Sequence, residues 1–294
     1  MTRNIIIGTI TALLSVSLIP PSHGTDDLLG QSIKKFRYPN YDNQGQLKME
    51  VAGNHAQVLP QGLIKIADLN MTFYEEGKKA MTIATPVCLY DRLKQTATSK
   101  SRVFVTRSEI KISGIGFDWN ENDGVIRIND NSRVVMQKTE QKSNFETEST
   151  TSSVPSNLDF DTNNTVITST TLTYDQKKSM AIFKGNVVVT DPDLKISSDR
   201  LTVSFLDDKK VKYINAEGNV LITRGIIYAS AKMASYDLQE GKITLWGKPG
   251  IIRLKDILTA ESIVFWRNSD RIICEPKAHL IIYSDNMNDS FTGY

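Results

Sequence analysis

The sequence predicts an all-β protein of the sandwich or barrel kind, on three observations. Short runs of Val, Ile, Leu, Tyr and Phe alternate with polar residues, turn-forming pairs cut those runs at regular spacing, and helical spacing is nearly absent outside the first residues. Alternation of period two bounded by turn residues is the strand signal, and many evenly spaced strands point to a sandwich or barrel. Composition agrees. At 294 residues, 40% apolar and 23% charged, the chain is ordinary for a globular protein. A net charge of +2, with no stripe of basic and aromatic residues, argues against a nucleic-acid partner.

The first segment is the exception to the strand pattern. One positive charge at Arg3 precedes an apolar run from Ile5 to Ile19, and Ser22 and Gly24 sit three places and one place before a cut ahead of Thr25. That is the layout of a secretory signal peptide over residues 1–24. A retained inner-membrane anchor is the alternative, but the run is shorter than the roughly 20 residues a span needs, and Pro20 and Pro21 break it. The mature body is therefore expected to be water-soluble and exported.

Residues 25–136 form the first expected module, with strand-like stretches LIKIADLNMTFY (63–74), SRVFVTRSEIKISGIGFDW (101–119) and GVIRINDNSRVVM (124–136). Turns fall at DNQG, YEEGKK and NENDG. Residues 137–164, rich in Ser, Thr, Asn and Glu with almost no apolar periodicity, read as a polar linker.

Residues 165–284 form the second module, followed by a polar tail, 285–294. This half repeats itself. FKGNVVVTDPDLKISSDRLTVSF (183–205) returns as AEGNVLITRGIIYASAKMASYD (216–237). Aligning the copies sets Leu172, Leu201, Met233 and Ile263 at one position and Gly185, Gly218 and Gly250 at another. A phrase of two short strands cannot bury its apolar face alone, so copies must stack to share a core. Alternation puts Leu194 and Ile196 on one face and, after a shift at SSDR, Leu201, Val203 and Phe205 on the same face. Val220, Ile222, Met233, Leu245, Ile263, Phe265, Leu280 and Ile282 are expected to join them, with Lys195, Arg200, Thr202, Ser204, Lys212 and Arg253 facing water. The stretches TVITSTTLTY (165–174) and HLIIYS (279–284) read as bare terminal strands, open to pairing with another chain or to capping by the neighbouring module.

At this point the residues resemble a known family. Lys184-Gly-Asn-Val-Val-Val, the unit Ser198-Asp199-Arg200-Leu201 and the phrase VKYINAEGNV (211–220) are similar to the OstA-like family, the periplasmic bridge proteins of lipopolysaccharide transport, LptA in particular. YPNYDNQGQL (38–47), ATPVCLY and SEIKISGIGFDW of the first half resemble the LptC member of that group. Two such modules in one chain depart from the arrangement in which they are separate proteins. The signal-like N-terminus also departs from the anchored LptC form. The resemblance implies two tandem V-shaped antiparallel β-jellyrolls, or one continuous jellyroll. It implies a periplasmic, non-catalytic carrier that hides lipopolysaccharide or related glycolipid acyl chains in a groove and passes them toward the outer membrane. Partners would be other jellyroll-bearing transport proteins of the inner and outer membranes, met through edge strands. Leu194, Ile196, Leu201, Val203, Phe205, Val220, Ile222, Met233, Leu245, Ile263 and Phe265 are the groove candidates.

No cofactor, metal or catalytic role is expected. The mature chain holds only His55 and His279, no G-x-S-x-G and no phosphate-cradling Gly loop. The acidic pairs Asp191/Asp193 and Asp207/Asp208 sit in turns, where Asp is favoured for local hydrogen bonding. Cys88 and Cys274 are expected as small buried hydrophobes, although an exported protein could pair them. The rival reading is a structural or adhesive β-repeat protein with a sealed interior and no lipid binding.

Overall fold

The structure, a computed structural model, describes residues 30–137, 164–206, 210–267, 269 and 271–283. The expected signal peptide, nearly all of the expected linker, and the tail lie outside the described residues. What is described is almost wholly strand. The first half contains β1 Ser32–Tyr41, β2 Leu47–Val58, β3 Leu63–Glu75, β4 Lys78–Asp91, β5 Thr96–Arg107, β6 Ile110–Asn120 and β7 Val125–Met136. After residue 164 come β8 Thr165–Ser169, β9 Thr171–Asp175, β10 Met180–Asp191, β11 Leu194–Phe205, β12 Val211–Arg224 and β13 Ile227–Asp237. The last are β14 Lys242–Trp246, β15 Gly250–Arg253, β16 Asp256–Thr259, β17 Ser262–Trp266, β18 Ile272–Glu275 and β19 His279–Ile281.

Every pairing is antiparallel, and all these strands belong to one ladder. The ladder is folded lengthwise. Most long strands shift register at their middle, between Ala84 and Leu89 in β4, Ser99 and Arg102 in β5, Lys184 and Val187 in β10, and Glu217 and Val220 in β12. Elsewhere the strand divides outright: β8 and β9 both pair with β10, and β14 and β15 both pair with β13. Each break turns the chain from one layer into the other, so the shared core collects inward residues from both halves of each strand. The breaks line up as a corner running the length of the molecule, and the hairpin turns line up as two lips opposite it.

The repeated phrase seen in the sequence is this corner. Gly185–Asn186 and Gly218–Asn219 hold consecutive left-handed conformations, φ 78° and 48°, then 76° and 47°. Only Gly tolerates the first position cheaply, and Asn is among the residues that visit the second. The third copy is Gly247–Lys248, φ 77° and 63°, not the expected Gly250, which opens β15. Side chains stitch the same line. Asn219 donates to Asp199 at 2.9 Å, Asn54 to Asp68 at 3.0 Å, and the Ser132 and Ser169 hydroxyls meet at 2.6 Å.

The lips carry a second repeated phrase, an aromatic followed by Asp or Asn. In Tyr90-Asp91, Trp119-Asn120, Tyr174-Asp175 and Tyr236-Asp237, the Asp or Asn oxygen accepts the backbone N–H groups of the following turn. The amides of Lys94 and Lys178 hold the carboxyls of Asp91 and Asp175 below their ordinary range.

The sheet does not stop at the expected module boundary. The second half of β7 pairs with β8, Met136 opposite Thr165 and Ser132 opposite Ser169, while its first half pairs with β9, Val125 opposite Asp175. Of the two alternatives for TVITSTTLTY, capping by the neighbouring module is the one that holds: β7 covers it on one side and β10 on the other. Among the described residues, the edges that stay open are β1 at one end and β18 with β19 at the other.

Both cysteines are free. Burial pushes the Cys88 thiol from 9.0 up to about 12, and burial first, then the neighbouring Tyr38 and Glu121, pushes Tyr90 from 10.0 to about 12. A group whose folded pKa is raised leaves stability intact below the unfolded value and loses it as pH climbs toward the folded one. Stability is thus expected to fall between about pH 9 and 12, by about 1.4 kcal/mol per pH unit for each such group fully inside its window. Urea melts at pH 8 and pH 10.5 check this. Cys88→Ser should flatten the slope, and an unchanged slope would refute the assignment.

Candidate binding trough

Two clefts open between the layers on the lip side. The larger holds about 510 Å³. One layer gives it Tyr236, Ile243, Phe265 and Ile272; the other gives Leu194, Ile222, Ile227, Ile251, Leu258 and Leu280. The second, about 310 Å³, straddles the junction of the two halves. Ile110, Ile112, Val134 and Met136 come from the first half, and Ile167, Phe183, Ile196, Val203, Phe205 and Ile214 from the second. Leu194 of one cleft and Ile196 of the other are alternate residues of β11, so the apolar floor continues from one to the next. Both volumes suit a small-molecule site, about 300–1,000 Å³.

The groove candidates divide three ways. Leu194, Ile222 and Phe265 line the larger cleft, and Ile196, Leu201, Val203 and Phe205 line the junction cleft. Val220, Leu245 and Ile263 point inward but are 2%, 0% and 0% exposed and line neither cleft; they fill the closed core beneath them. Met233 is on the outside, 49% exposed. The reason is a slip in β13. Ala229 and Ala231 face in, Lys232 and Met233 both face out at the corner, and Ala234 is the buried residue opposite Ala216. Pure alternation carried through that corner lands one residue early.

Sequence reading missed Ile227, Tyr236, Ile243, Ile251 and Leu258, and every first-half residue of the junction cleft. The lip aromatics were the available signal. Tyr174, Phe205, Tyr236 and Phe265 recur about thirty residues apart, just inside a turn, and all four line a cleft.

Polar contacts cross the mouth from lip to lip. Arg107 at the end of β5 donates to the Tyr174 hydroxyl at 2.9 Å while its other nitrogen meets Glu75 at 3.2 Å. Arg267, after β17, lies 3.7 Å from Asp191 at the end of β10 and is hydrogen-bonded to the Tyr236 hydroxyl, which together favour its charge. Arg224 and Arg253 also line the larger cleft, as do Asp193 and Asp256. The trough is thus apolar along its floor and mixed in charge, with three arginines, at its larger mouth. Among the described residues, no group of three or more His, Cys, Asp and Glu is placed to hold a metal.

The profile of the family described as LptA/(LptD N-terminal domain) LPS transport protein matches residues 166–271. Among solved structures, the chain is similar to LptH from Pseudomonas aeruginosa, described as the LptA-homologous periplasmic component of the conserved lipopolysaccharide transport device. The match has 16% identity and a TM-score of 0.34, and it covers 37% of this chain and 88% of that one. No curated protein matches the chain.

Proposed function

We propose that the chain, whose residues 166–271 match the family described as LptA/(LptD N-terminal domain) LPS transport protein, is a non-catalytic periplasmic carrier. It holds the acyl chains of lipopolysaccharide, or a related glycolipid, in the trough between its layers. The observation that carries this reading is the apolar floor shared by the two clefts, open to solvent along the lips. Each CH₂ left in water costs roughly 0.8 kcal/mol, so one chain of about a dozen carbons costs on the order of 10 kcal/mol. An open apolar trough removes that cost while the sugar head stays hydrated. The repeated strands beyond the junction offer similar affinity along the trough, so transfer meets no deep trap.

The first half is built as an LptC-like module fused ahead of the LptA-like one, the β7–β8/β9 joint replacing a contact between separate proteins and the first half supplying one wall of the junction cleft. Further modules join at the far edge. There β18 and β19 present Ile272, Leu280 and Ile281 at 49%, 60% and 50% exposure. The β1 edge carries Lys34, Lys35, Arg37 and Pro39, the residue types that discourage strand addition.

Photo-crosslinking tests the reading. Benzoylphenylalanine at Phe205 and at Phe265 is expected to capture lipopolysaccharide, and the same probe at Met233, on the outer face, is not. Adducts at none of the three would remove the carrier reading and leave a structural β-repeat protein.

A further inference from the structure

The lip of one layer carries a rank of aromatics at equivalent positions, and their surroundings change along the molecule. Tyr90 and Trp119, in the first half, are 2% and 5% exposed. Tyr174, Phe205, Tyr236 and Phe265, beyond the junction, are half-buried and line the clefts. Trp119 is covered from the facing layer. The ring of Phe73 in β3 meets it edge-on, centroids 5.6 Å apart and planes at 66°. Two residues further, Glu121 accepts from the Lys48 ammonium at 2.6 Å, a contact that ties the start of β2 to the opposite lip. The Glu121 side chain is only 11% exposed and its second oxygen is buried without a hydrogen-bond partner. The pair is shielded on one side only, the Lys48 side chain being 53% exposed, and salt screens such a partly buried pair less than a fully exposed one.

From this we propose that the first half is a stoppered roll. Phe73, Trp119 and the Lys48–Glu121 pair hold its lips shut, so the ligand-holding trough begins at the junction cleft and runs to the β18–β19 edge. Acyl chains then enter and leave between the lips beyond the junction, or at that far edge, and do not thread in from the β1 end. The inference rests on the carrier reading above and restricts where in the chain the load can sit.

The test places benzoylphenylalanine singly at Phe73, Trp119, Phe205 and Phe265 in the full exported chain with purified lipopolysaccharide, thermal melts confirming that each variant is folded. Strong adducts are expected from Phe205 and Phe265, and less than a tenth as much from Phe73 and Trp119. Adding Phe73→Ala and Lys48→Ala to the Trp119 probe is expected to raise its adduct at least fivefold, with thermal melts confirming that the variant is folded at the assay temperature. Adducts from Phe73 and Trp119 as strong as those from Phe205 would overturn the stopper. A folded double variant with no gain at Trp119 would overturn its assignment to Phe73 and Lys48. Silence at all four positions would count instead against the carrier reading.

Discussion

Aspartate at both Ile227 and Leu258 is expected to lower lipopolysaccharide affinity about a hundredfold or more, read by displacement of a fluorescent acyl probe. The two residues sit on the floor of the larger cleft, on β13 and β16, and both are half-buried. A carboxylate there keeps its hydration shell and denies the floor to an acyl chain. Displacing about four methylenes into water costs about 3 kcal/mol, somewhat over two orders of magnitude in affinity. Because neither side chain belongs to the fully buried core, the melting temperature should fall by only a few degrees. Met233→Asp is the matched control, since it places the same charge on the outer face of the same strand. Full affinity in the double variant, or an equal loss in Met233→Asp, would show that the lipid sits elsewhere.

The contrast between Ile227 and Met233 shows what the sequence made legible and what it hid. Alternation identifies inward residues well within half a strand. Leu201 and Val203, or Leu194 and Ile196, lie where period two puts them, and even the slip at SSDR is visible because two polar residues stand side by side. At Lys232–Met233 the slip falls on an apolar residue, so nothing in the hydropathy pattern marks it. The choice between trough and closed core was hidden for another reason. Leu245 and Ile263 have the same chemistry as Ile222 and Phe265, and only distance from the corner separates them. Continuity between the halves was hidden as well. β7 and β8 are separated by a long polar stretch, and pairing across it depends on Ser132 and Ser169 meeting in space, which spacing along the chain does not encode.

The corner itself is where substitution should cost most stability. Gly218→Ala puts a side chain at φ 76°, in the left-handed region, and its Cβ would collide with the Asp199 carboxylate and Cβ. Asp199 cannot simply step aside, because it accepts the Asn219 amide at 2.9 Å and belongs to the adjoining strand. Backbone strain and the lost contact together predict about 2–3 kcal/mol of destabilisation. Gly250→Ala serves as the comparison, since Gly250 has an ordinary φ and its added Cβ would meet nothing closer than Ser230 Oγ at 3.7 Å. That change should stay within about 0.5 kcal/mol of neutral. Gly185→Ala should behave like Gly218→Ala, with Thr170 Oγ1 at 2.7 Å in place of Asp199. Urea midpoints for the three variants decide the matter. If Gly218→Ala and Gly250→Ala unfold together, the repeated Gly-Asn phrase is not what bends the ladder into two layers. If they separate as expected, the mouth of the trough is set by its back, where the left-handed pairs at Gly185–Asn186, Gly218–Asn219 and Gly247–Lys248 fix how the two layers meet.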